Sequence, residues 1–384
     1  MSKPPTTYHL PPTNPRVVIV ADWLTNMGGA EKVVLAMHEA FPDAPIYTSV
    51  FVPEALPAFK GLDVRTTWIQ RFPKFLRRLH KWFPVIRVWA FRSLDLSDYD
   101  IILISTIAES KHVRKTRPEQ KIICYCYTPV RYYYSHYAEY KKDPGFGKLN
   151  WLVRILIPIF MPSQRKLDLK AADNVDQFIA ISTEVQNRIR KYYHKPSTVI
   201  YPPVDVNRFE PSRERDNYYV ALGRQVPYKR IDLAVLAATK LNIPLYVYGN
   251  GTEHDNLVNM AGPSVKFFTD RSSDASDSAV EKALNHAKGY IFPAEEDFGI
   301  VMVEALASGT PVIAYDVGGA VDIIDNNESG VLFEKQTVES LANAIQKAES
   351  MSFLPGTLRR KAKRFDKSLF ITKIRKAVSD VYES

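Results

Sequence analysis

Two pairs of charged residues in the second half of the chain have types and spacings suited to a diphosphate that carries a sugar. Arg224 and Lys229 lie five positions apart just after an apolar run, and Glu296 and Glu304 lie eight apart after another. Arginine offers a planar fork of donors and lysine a compact charge, and together they neutralise a pyrophosphate leaving group. A carboxylate accepts two hydrogen bonds from a vicinal diol such as that of ribose. The pattern predicts a site for a sugar nucleotide.

Each pair also has a purely structural interpretation. Arg224 and Lys229 fit solvated cations on a loop, and Glu296 fits an acid favoured by the dipole of the helix that follows it. Both pairs follow predicted strands, which favours the ligand site. Free backbone N–H groups at the start of that helix add donors for a hydroxyl or a phosphate oxygen. The residues at this predicted helix start are Phe298, Gly299, Ile300 and Val301.

Two glycines in the first half follow a strand in a similar way. Gly28 and Gly29 come after the apolar run 17–21 and precede a predicted helix. Glycine lets a backbone approach a phosphate closely. The segment matches neither the dinucleotide pattern GxGxxG nor the P-loop, so it is a weak signal by itself.

Short apolar runs alternate with helical patterns along the chain, which predicts parallel sheets covered by helices on both faces. The predicted strands are 17–21, 101–105, 122–127, 178–182, 218–222, 245–248, 265–268, 290–293 and 312–315. A proline-rich and then charged stretch at 202–216 separates the two halves. We therefore predict two doubly wound, Rossmann-like α/β domains, residues 1–204 and 205–355. A C-terminal helix at 356–384 completes the first domain, and a ligand binds in the central cleft that the domains face.

Composition narrows the function classes. The 384 residues suffice for two domains with separate cores, and the net charge of +9 indicates an anionic partner. The i, i+2 spacing of Cys124 and Cys126 predicts buried thiols on one face of a strand, and so few cysteines fit a reducing compartment. The sequence shows no signal peptide and no apolar stretch long enough to span a membrane. We therefore expect a cytoplasmic protein.

The window 69–92 combines cations with aromatic residues and contains no acid. This pattern predicts an element lying on an anionic membrane surface. A packed element between domains and a surface for single-stranded nucleic acid are the alternatives, and nucleic acid is the least favoured. The residues are Arg71, Phe72, Lys74, Phe75, Arg77, Arg78, Lys81, Trp82, Phe83, Arg87, Trp89, Phe91 and Arg92. No clustered set of His, Cys and Asp has the spacing of metal ligands.

With these residues in place, the chain resembles the retaining glycosyltransferases of family 4, which have the GT-B fold. It looks most similar to bacterial mannosyltransferases that build lipopolysaccharide O-antigen. The similarity runs from Ala21 to Phe333 and lies in a combination of motifs. These are Gly28–Glu31, Tyr125–Arg131, Tyr201–Asp205, Gly223–Lys229 and the Glu-x7-Glu of Glu296 and Glu304.

The resemblance implies roles for the site residues. Arg224 and Lys229 would hold the donor diphosphate, and Glu304 would bind the ribose. Glu296, with the amides of residues 298–301, would grip the hydroxyls of the donor sugar, so that Glu296, Arg224 and Lys229 are the expected catalytic residues. Gly28 and Gly29 would approach the donor phosphates, and Tyr127 and Arg131 are expected near the acceptor or the donor sugar. The family needs no bound metal, because its cations and a helix N-terminus do the electrostatic work.

Two positions depart from the family pattern: relatives often carry a histidine in place of Tyr127 and a glycine in place of Asp297. The resemblance implies transfer of a hexose, with GDP-mannose as the favoured donor, to a lipid-linked glycan in cell-surface polysaccharide biosynthesis. It also implies a peripheral location at the inner face of the cell membrane, with contact through 69–92. Two alternatives stay open. One is a non-catalytic sugar-nucleotide-binding partner of a transferase, and the other is a sugar-nucleotide epimerase with the same two domains.

Overall fold

The computed structural model describes residues 15–74, 77, 84–134, 150–212, 214–269 and 277–384. The chain forms two compact units, one of Met1–Ile179 with Ile374–Ser384 and the other of Ala180–Lys373. The described residues form two parallel sheets, which confirms the predicted pair of Rossmann-like α/β folds. The domain limits expected from the sequence, 1–204 and 205–355, stay predictions.

In the part of the chain that the structure describes, the first sheet has seven strands: β1 (Val17–Ala21), β2 (Ile46–Thr48), β3 (Val64–Thr66), β4 (Ile101–Thr106), β5 (Lys121–Cys126), β6 (Gln177–Ala180) and β7 (Ser197–Val199). Their order across the sheet is β3-β2-β1-β4-β5-β6-β7. The central strands β1, β4 and β5 are buried along nearly their whole length, as continuous apolar runs require. Cys124 and Cys126 are buried free thiols, as predicted.

The second sheet has six strands among the described residues: β8 (Tyr219–Leu222), β9 (Leu245–Tyr248), β10 (Val265–Phe268), β11 (Gly289–Phe292), β12 (Val312–Tyr315) and β13 (Gly330–Phe333). Their order is β10-β9-β8-β11-β12-β13. The winding reverses between β8 and β11, and ligands of open α/β sheets bind at such a switch point, outside the carboxyl ends of the strands. The loops that follow β8 and β11 therefore belong to one site.

The helices are α1 (Gly29–Ala40), α2 (Pro84–Arg92), α3 (Asn150–Asp173), α4 (Thr183–Tyr193), α5 (Ile231–Leu241), α6 (His254–Met260), α7 (Asp277–His286), α8 (Ile300–Ala307), α9 (Gly319–Ile323), α10 (Val338–Glu349), α11 (Pro355–Ala362) and α12 (Lys367–Tyr382). In the second unit, Leu233 of α5 and Leu341 and Ile345 of α10 pack in the core against the sheet. Among the described residues, no helix is both long and apolar enough to cross a membrane.

The C-terminal segment predicted as one helix consists of two. A 3-10 turn at Lys363–Phe365 follows α11, and Asp366 is extended, so the helical phase restarts in α12. Phe370, Ile374 and Val378, spaced four apart, are therefore buried, whereas Leu369 is 42% exposed. In the first unit, Arg375 Nε donates to Ala40 O at 2.9 Å.

Candidate functional site

The cation and the acid expected to share a site are in contact in the second unit. Lys229 Nζ forms an ion pair with Glu296 Oε1, and the two side chains are only 19% and 21% exposed. Lys229 follows β8 and Glu296 follows β11, so the contact lies at the switch point of the sheet. The ammonium also lies 6.0 Å from the centre of the Phe292 ring. The predicted meeting of these two loops is confirmed, and the roles of their residues stay predictions.

The loop after β8 presents its second cation to solvent. Gly223 has a φ of +151°, which favours glycine, and Arg224 follows it as an exposed residue. Arg224 Nη2 donates to Tyr228 Oη at 2.8 Å. Tyr228 and Lys229 lie in a 3-10 turn, Pro227–Lys229, just before α5. One loop thus carries an accessible guanidinium and a half-buried ammonium.

A buried glutamine, which the sequence did not single out, holds this loop in place. Gln225 is fully buried, its Nε2 donates to Gly249 O at 2.7 Å, and its backbone N–H donates to Asn250 O at 2.9 Å. A Cβ on Gly249 or Gly251 would come within 2.3 Å or 2.2 Å of backbone oxygens of the β8 loop. The glycines after β9 are therefore explained by close backbone packing, the structural interpretation that their strand-to-helix turn favours.

Glu304 lies in α8 and is half-buried. Burial is the main cause that raises the pKa of the Tyr290 phenol, and the negative charge of Glu304 is the second cause. Tyr290 Oη in turn donates to Leu222 O, at the end of β8, at 3.3 Å. Tyr290 thus joins β11 to the end of β8, the strand that precedes Lys229.

The helix α8 begins without a side-chain cap. Gly299 is its N-cap, with a φ of +93°, and the first helical residues are Ile300 and Val301, so the helix begins two residues after the predicted start at Phe298. The first amides of a helix point away from it and carry partial positive charge. Phe298 is 4% exposed, and its ring stacks on Tyr201 with centroids 5.8 Å apart. Its side chain anchors the turn.

The turn that carries Glu296 packs directly on a second pair of glycines. Gly319 N–H donates to Glu296 O at 2.8 Å, and Gly318 has a φ of +72°. A Cβ on Gly318 would come within 2.2 Å of Glu296 O, and one on Gly319 within 2.2 Å of Phe298. Two backbones approach here more closely than any side chain would allow.

A groove of about 380 Å³ lies beside the loop that follows β8, between residues 226–232 and α6. Its floor includes Leu257 and Met260. The charged groups on its rim neutralise each other in part, since Arg230 Nη2 lies 3.1 Å from Asp232 Oδ2. It lacks the paired cations that a diphosphate requires, so we place the candidate site at Lys229 and Glu296.

In the first unit, Gly28 and Gly29 stand at the start of α1. Gly28 is the extended N-cap of the helix and Gly29 its first residue. A Cβ on Gly28 would lie 3.0 Å from Glu31 Oε2, so the glycine leaves room for this buried carboxylate. The glycines are placed as predicted, and their approach to a phosphate stays a prediction.

Tyr127 follows β5 and accepts from one neighbour while donating to another. Ser105 Oγ lies 2.9 Å from Tyr127 Oη, which donates to Ala30 O at 3.2 Å. Burial, the largest cause, raises the pKa of Tyr127. The phenol lines a cavity of about 30 Å³ with Asp22 and Glu31. Tyr127 is therefore a neutral hydrogen-bonding group in this environment.

Arg131, predicted beside Tyr127 as a sugar contact, is half-buried in a turn after β5. Its contact with a sugar stays a prediction. Among the described residues, no group of three His, Cys, Asp or Glu side chains is arranged to hold a metal ion.

Asp22, which the sequence did not single out, organises the loop after β4. Its carboxylate accepts from the backbone N–H groups of Ile107, Ala108 and Ser110 at 2.7, 3.0 and 2.8 Å. Thr106 Oγ1 adds a further hydrogen bond at 3.2 Å. Asp22 is 5% exposed, and a buried acid with this many donors is a structural anchor.

Only some residues of the basic and aromatic window 69–92 are exposed to solvent. Arg87, expected to face a membrane, is buried and forms an ion pair with Glu109 at 2.6 Å. The expectation was wrong for this residue because its acid partner lies outside the window. Phe91 is likewise a core residue, whereas Trp89 is 68% exposed. The expected residues Phe75, Arg78, Lys81, Trp82 and Phe83 lie outside the described part of the chain.

Arg188, which was not among the predicted site residues, binds the two acids that flank Glu296 in the chain. Arg188 Nη1 donates to Asp297 Oδ1 at 2.6 Å, and Nη2 to Glu295 Oε1 at 3.4 Å. The side chain of Arg188 is 9% exposed. No local pattern reveals it, because more than a hundred residues separate it from the acids.

Comparison with known families identifies two matching models that together span residues 27–367. One, described as Glycosyltransferase Family 4, matches residues 27–208. The other, described as Glycosyl transferases group 1, matches residues 205–367. The second match contains both of the charged pairs from which the sequence predicts a sugar-nucleotide site.

The curated relatives that match this chain include two at low identity. An uncharacterized glycosyltransferase of Methanocaldococcus jannaschii is 27% identical over 56% of this chain and 61% of its own length. A GDP-mannose-dependent alpha-(1-6)-phosphatidylinositol monomannoside mannosyltransferase of Mycobacterium tuberculosis is 26% identical over 48% of this chain and 55% of its own length. The chain thus spans a little over half the length of these relatives.

Among solved structures, the chain is similar to HepE (Alr3699) of Anabaena in complex with UDP and glucose. The TM-score is 0.66 and the identity 17%, over 95% of this chain and 100% of that one. At this identity the likeness shows the fold, which is that of two Rossmann-like halves.

Proposed function

The chain is of the GT-B, group 1 and family 4 type of glycosyltransferase, and we propose that it transfers a hexose from a nucleotide sugar to a lipid-linked glycan. The observation that carries this proposal is the Lys229–Glu296 ion pair at the β8/β11 switch point. A half-buried cation and acid at that point can each exchange their partner for a ligand group. Lys229 binds an arriving phosphate, and the released Glu296 accepts from sugar hydroxyls.

The neighbouring groups complete a donor site in this proposal. Arg224 supplies a second, exposed cation for the diphosphate, and Glu304 accepts from the ribose diol. The amides at the start of α8 donate to a sugar hydroxyl or a phosphate oxygen. Gly28 and Gly29 are assigned to the donor phosphates from the resemblance.

We propose a retaining reaction in which the acceptor hydroxyl attacks the anomeric carbon from the face that the diphosphate leaves. The bond from that carbon to the phosphate oxygen breaks, and the departing phosphate takes the proton of the hydroxyl. Lys229, Arg224 and the N-terminus of α8 stabilise the negative charge that develops on the leaving group. These groups supply the electrostatic stabilisation, and we propose that no bound metal is required.

GDP-mannose is the favoured donor. The support is the mycobacterial relative, whose description specifies GDP-mannose. The Anabaena structure contains UDP and glucose instead, which makes UDP-glucose the competing donor. The two donors differ in base and sugar, so a direct comparison decides between them.

We propose a lipid-linked acceptor, met at the inner face of the cell membrane in cell-surface polysaccharide biosynthesis. The mycobacterial relative is described as acting on a phosphatidylinositol mannoside. On α2, Val85, Ile86 and Trp89 are 44%, 36% and 68% exposed. Exposed apolar and aromatic side chains on a helix suit contact with a bilayer surface.

The activity is tested by offering purified protein GDP-mannose, UDP-glucose and related sugar nucleotides while measuring release of the nucleoside diphosphate. We expect release with GDP-mannose and a loss of about 10²–10³-fold in the Lys229→Ala variant. Lys240→Ala is the control, since Lys240 is an exposed lysine paired with Glu339 on the surface. Saturable binding without turnover of any donor contradicts the proposed activity.

The second candidate, a non-catalytic sugar-nucleotide binder, is favoured by one observation. Tyr127 is a neutral phenol tied to Ser105 and Ala30. A Tyr127→His variant distinguishes the two functions. Turnover in the variant but none in the natural protein supports the binder, whereas turnover in the natural protein excludes it.

A further inference from the structure

A buried arginine holds the acids on either side of Glu296. Arg188 in α4 is 8% exposed, and its Nη1 donates to Asp297 Oδ1 at 2.6 Å. Its Nη2 donates to Glu295 Oε1 at 3.4 Å, and its Nε to Glu184 Oε1, one helical turn earlier, at 2.8 Å. One guanidinium therefore binds both chain neighbours of Glu296.

The three acids bound by Arg188 differ in exposure. The side chain of Asp297 is 12% exposed, whereas those of Glu184 and Glu295 are 32% and 49% exposed. Solvent screens an exposed ion pair much more than a buried one. The Arg188–Asp297 pair is therefore the strongest restraint on residues 295–297, the acidic segment.

The local backbone explains why this restraint acts on Glu296. Glu296 pairs with Gly318 in a parallel bridge and is therefore extended, and successive side chains of an extended chain point to opposite sides. Glu295 and Asp297 point to Arg188, and Glu296 points to Lys229. A rotation of the segment about its axis would withdraw Glu296 from Lys229.

The helix α4, which carries Arg188, is linked through α9 to the same acidic segment. Thr183, at the start of α4, donates through its N–H and Oγ1 to the Asp322 carboxylate in α9 at 2.7 and 2.6 Å. At the N-terminal end of α9, Gly319 N–H donates to Glu296 O at 2.8 Å. The helices α4 and α9 and the acidic segment thus restrain one another.

We propose that Arg188 is a positioning residue, which through its ion pair with Asp297 orients Glu296 toward Lys229 and the donor sugar. This inference rests on the proposed function, since it assigns Arg188 to the same reaction. Arg188 is not required to touch the donor. Its loss should therefore reduce the rate of transfer and leave the binding of the nucleoside diphosphate nearly intact.

The first test compares Asp297→Asn, which keeps the shape and removes the charge, with Arg188→Lys, which keeps the charge and removes the fork. We expect kcat to fall about 10- to 100-fold in both, as for a misplaced catalytic group. The dissociation constant for GDP should change by less than about threefold. Arg190→Met is the control, because Arg190 is exposed on the same helix and its Nη2 donates to Asn187, away from the acidic segment. A folded Asp297→Asn protein with unchanged kcat overturns the proposal.

A second test does not depend on activity. Lys229→Met and Glu296→Gln are made singly and together, and urea unfolding gives their coupling free energy. The same cycle is repeated with Asp297→Asn present. We expect the coupling to fall to about half or less, whereas an unchanged coupling overturns the positioning role. A natural protein that transfers no sugar contradicts the proposed function, and this cycle still decides the role of Arg188.

Discussion

The two units place ion pairs near the ends of their parallel strands with very different access to solvent. In the second unit, Lys229 and Glu296 are about one-fifth exposed. In the first unit, the pair of Arg87 with Glu109 is at most 3% exposed. An accessible pair can exchange its partner for a ligand, whereas breaking a buried pair leaves an uncompensated charge in the interior. Accessibility, more than charge type, separates the candidate site from the scaffold.

The buried pairs of the first unit organise the turn that follows β5. Glu109 accepts from Tyr132 Oη at 2.6 Å, and burial raises the pKa of Glu109. Asp168 pairs with Lys111 at 2.7 Å and accepts from Tyr134 Oη at 3.1 Å. Each of these acids thus accepts from one tyrosine of the turn, so their function is structural.

The largest effect on stability is expected when a buried pair of the first unit is broken. Arg87→Met should lower the free energy of unfolding by about 3–5 kcal/mol, because Glu109 loses its countercharge in the interior. Lys229→Met should cost about 1 kcal/mol or less, since its pair is partly solvated. Urea unfolding of both variants measures the difference. Equal losses would remove the distinction between the two units.

The sequence predicted the sheets and the meeting of the two loops, because both follow from local patterns. Continuous apolar runs define β1, β9, β10 and β12 to the residue, and charges just after a strand must lie at the carboxyl edge. The strands β2, β3 and β7 were missed because three residues carry too little periodicity, and the four-residue strand β13 was missed as well.

The contacts that the sequence did not predict join residues far apart in the chain. Arg87 was expected on a surface because its window lacks an acid, yet its partner Glu109 lies 22 positions on. Arg188 and Asp297 are 109 positions apart. Local composition indicates charge and helix formation, but the partner of a buried ion is set by tertiary packing.

His112 in the first unit is expected to have a smaller effect, which is to make the free energy of unfolding depend on pH. Burial, followed by the charges of Lys111 and Arg92, lowers the pKa of His112 from 6.5 to about 2. The unfolded chain therefore binds a proton below pH 6.5 that the folded chain does not. This group should reduce stability on acidification by up to about 1.4 kcal/mol per pH unit.

The variant His112→Leu isolates this contribution in unfolding measured from pH 7.5 to about 4.5. Its stability should fall less steeply with acid than that of the natural protein. His194→Asn is the control, because His194 is an exposed residue at the C-cap of α4. Parallel curves for His112→Leu and the natural protein would show that His112 charges in the folded state as well.

The smallest losses of unfolding free energy are expected when one tyrosine of each unit is replaced by phenylalanine. Tyr127→Phe should cost about 1–2 kcal/mol, because Ser105 Oγ and Ala30 O lose a hydrogen-bonding partner. Tyr228→Phe should cost less than about 0.5 kcal/mol, since Tyr228 is 47% exposed and water replaces its contact with Arg224. Thermal unfolding compares them, and equal costs would mean that the Tyr127 phenol is not held as described.

The most direct measurement of the central claim is calorimetric titration of GDP and UDP into the natural protein, Lys229→Met and Lys240→Met. If Lys229 exchanges Glu296 for a diphosphate, Lys229→Met should weaken binding of the preferred nucleotide about 10- to 100-fold, the loss of a charge-assisted hydrogen bond. Lys240→Met should bind as the natural protein does. Equal affinity in all three proteins would contradict the assignment of a diphosphate to this ion pair.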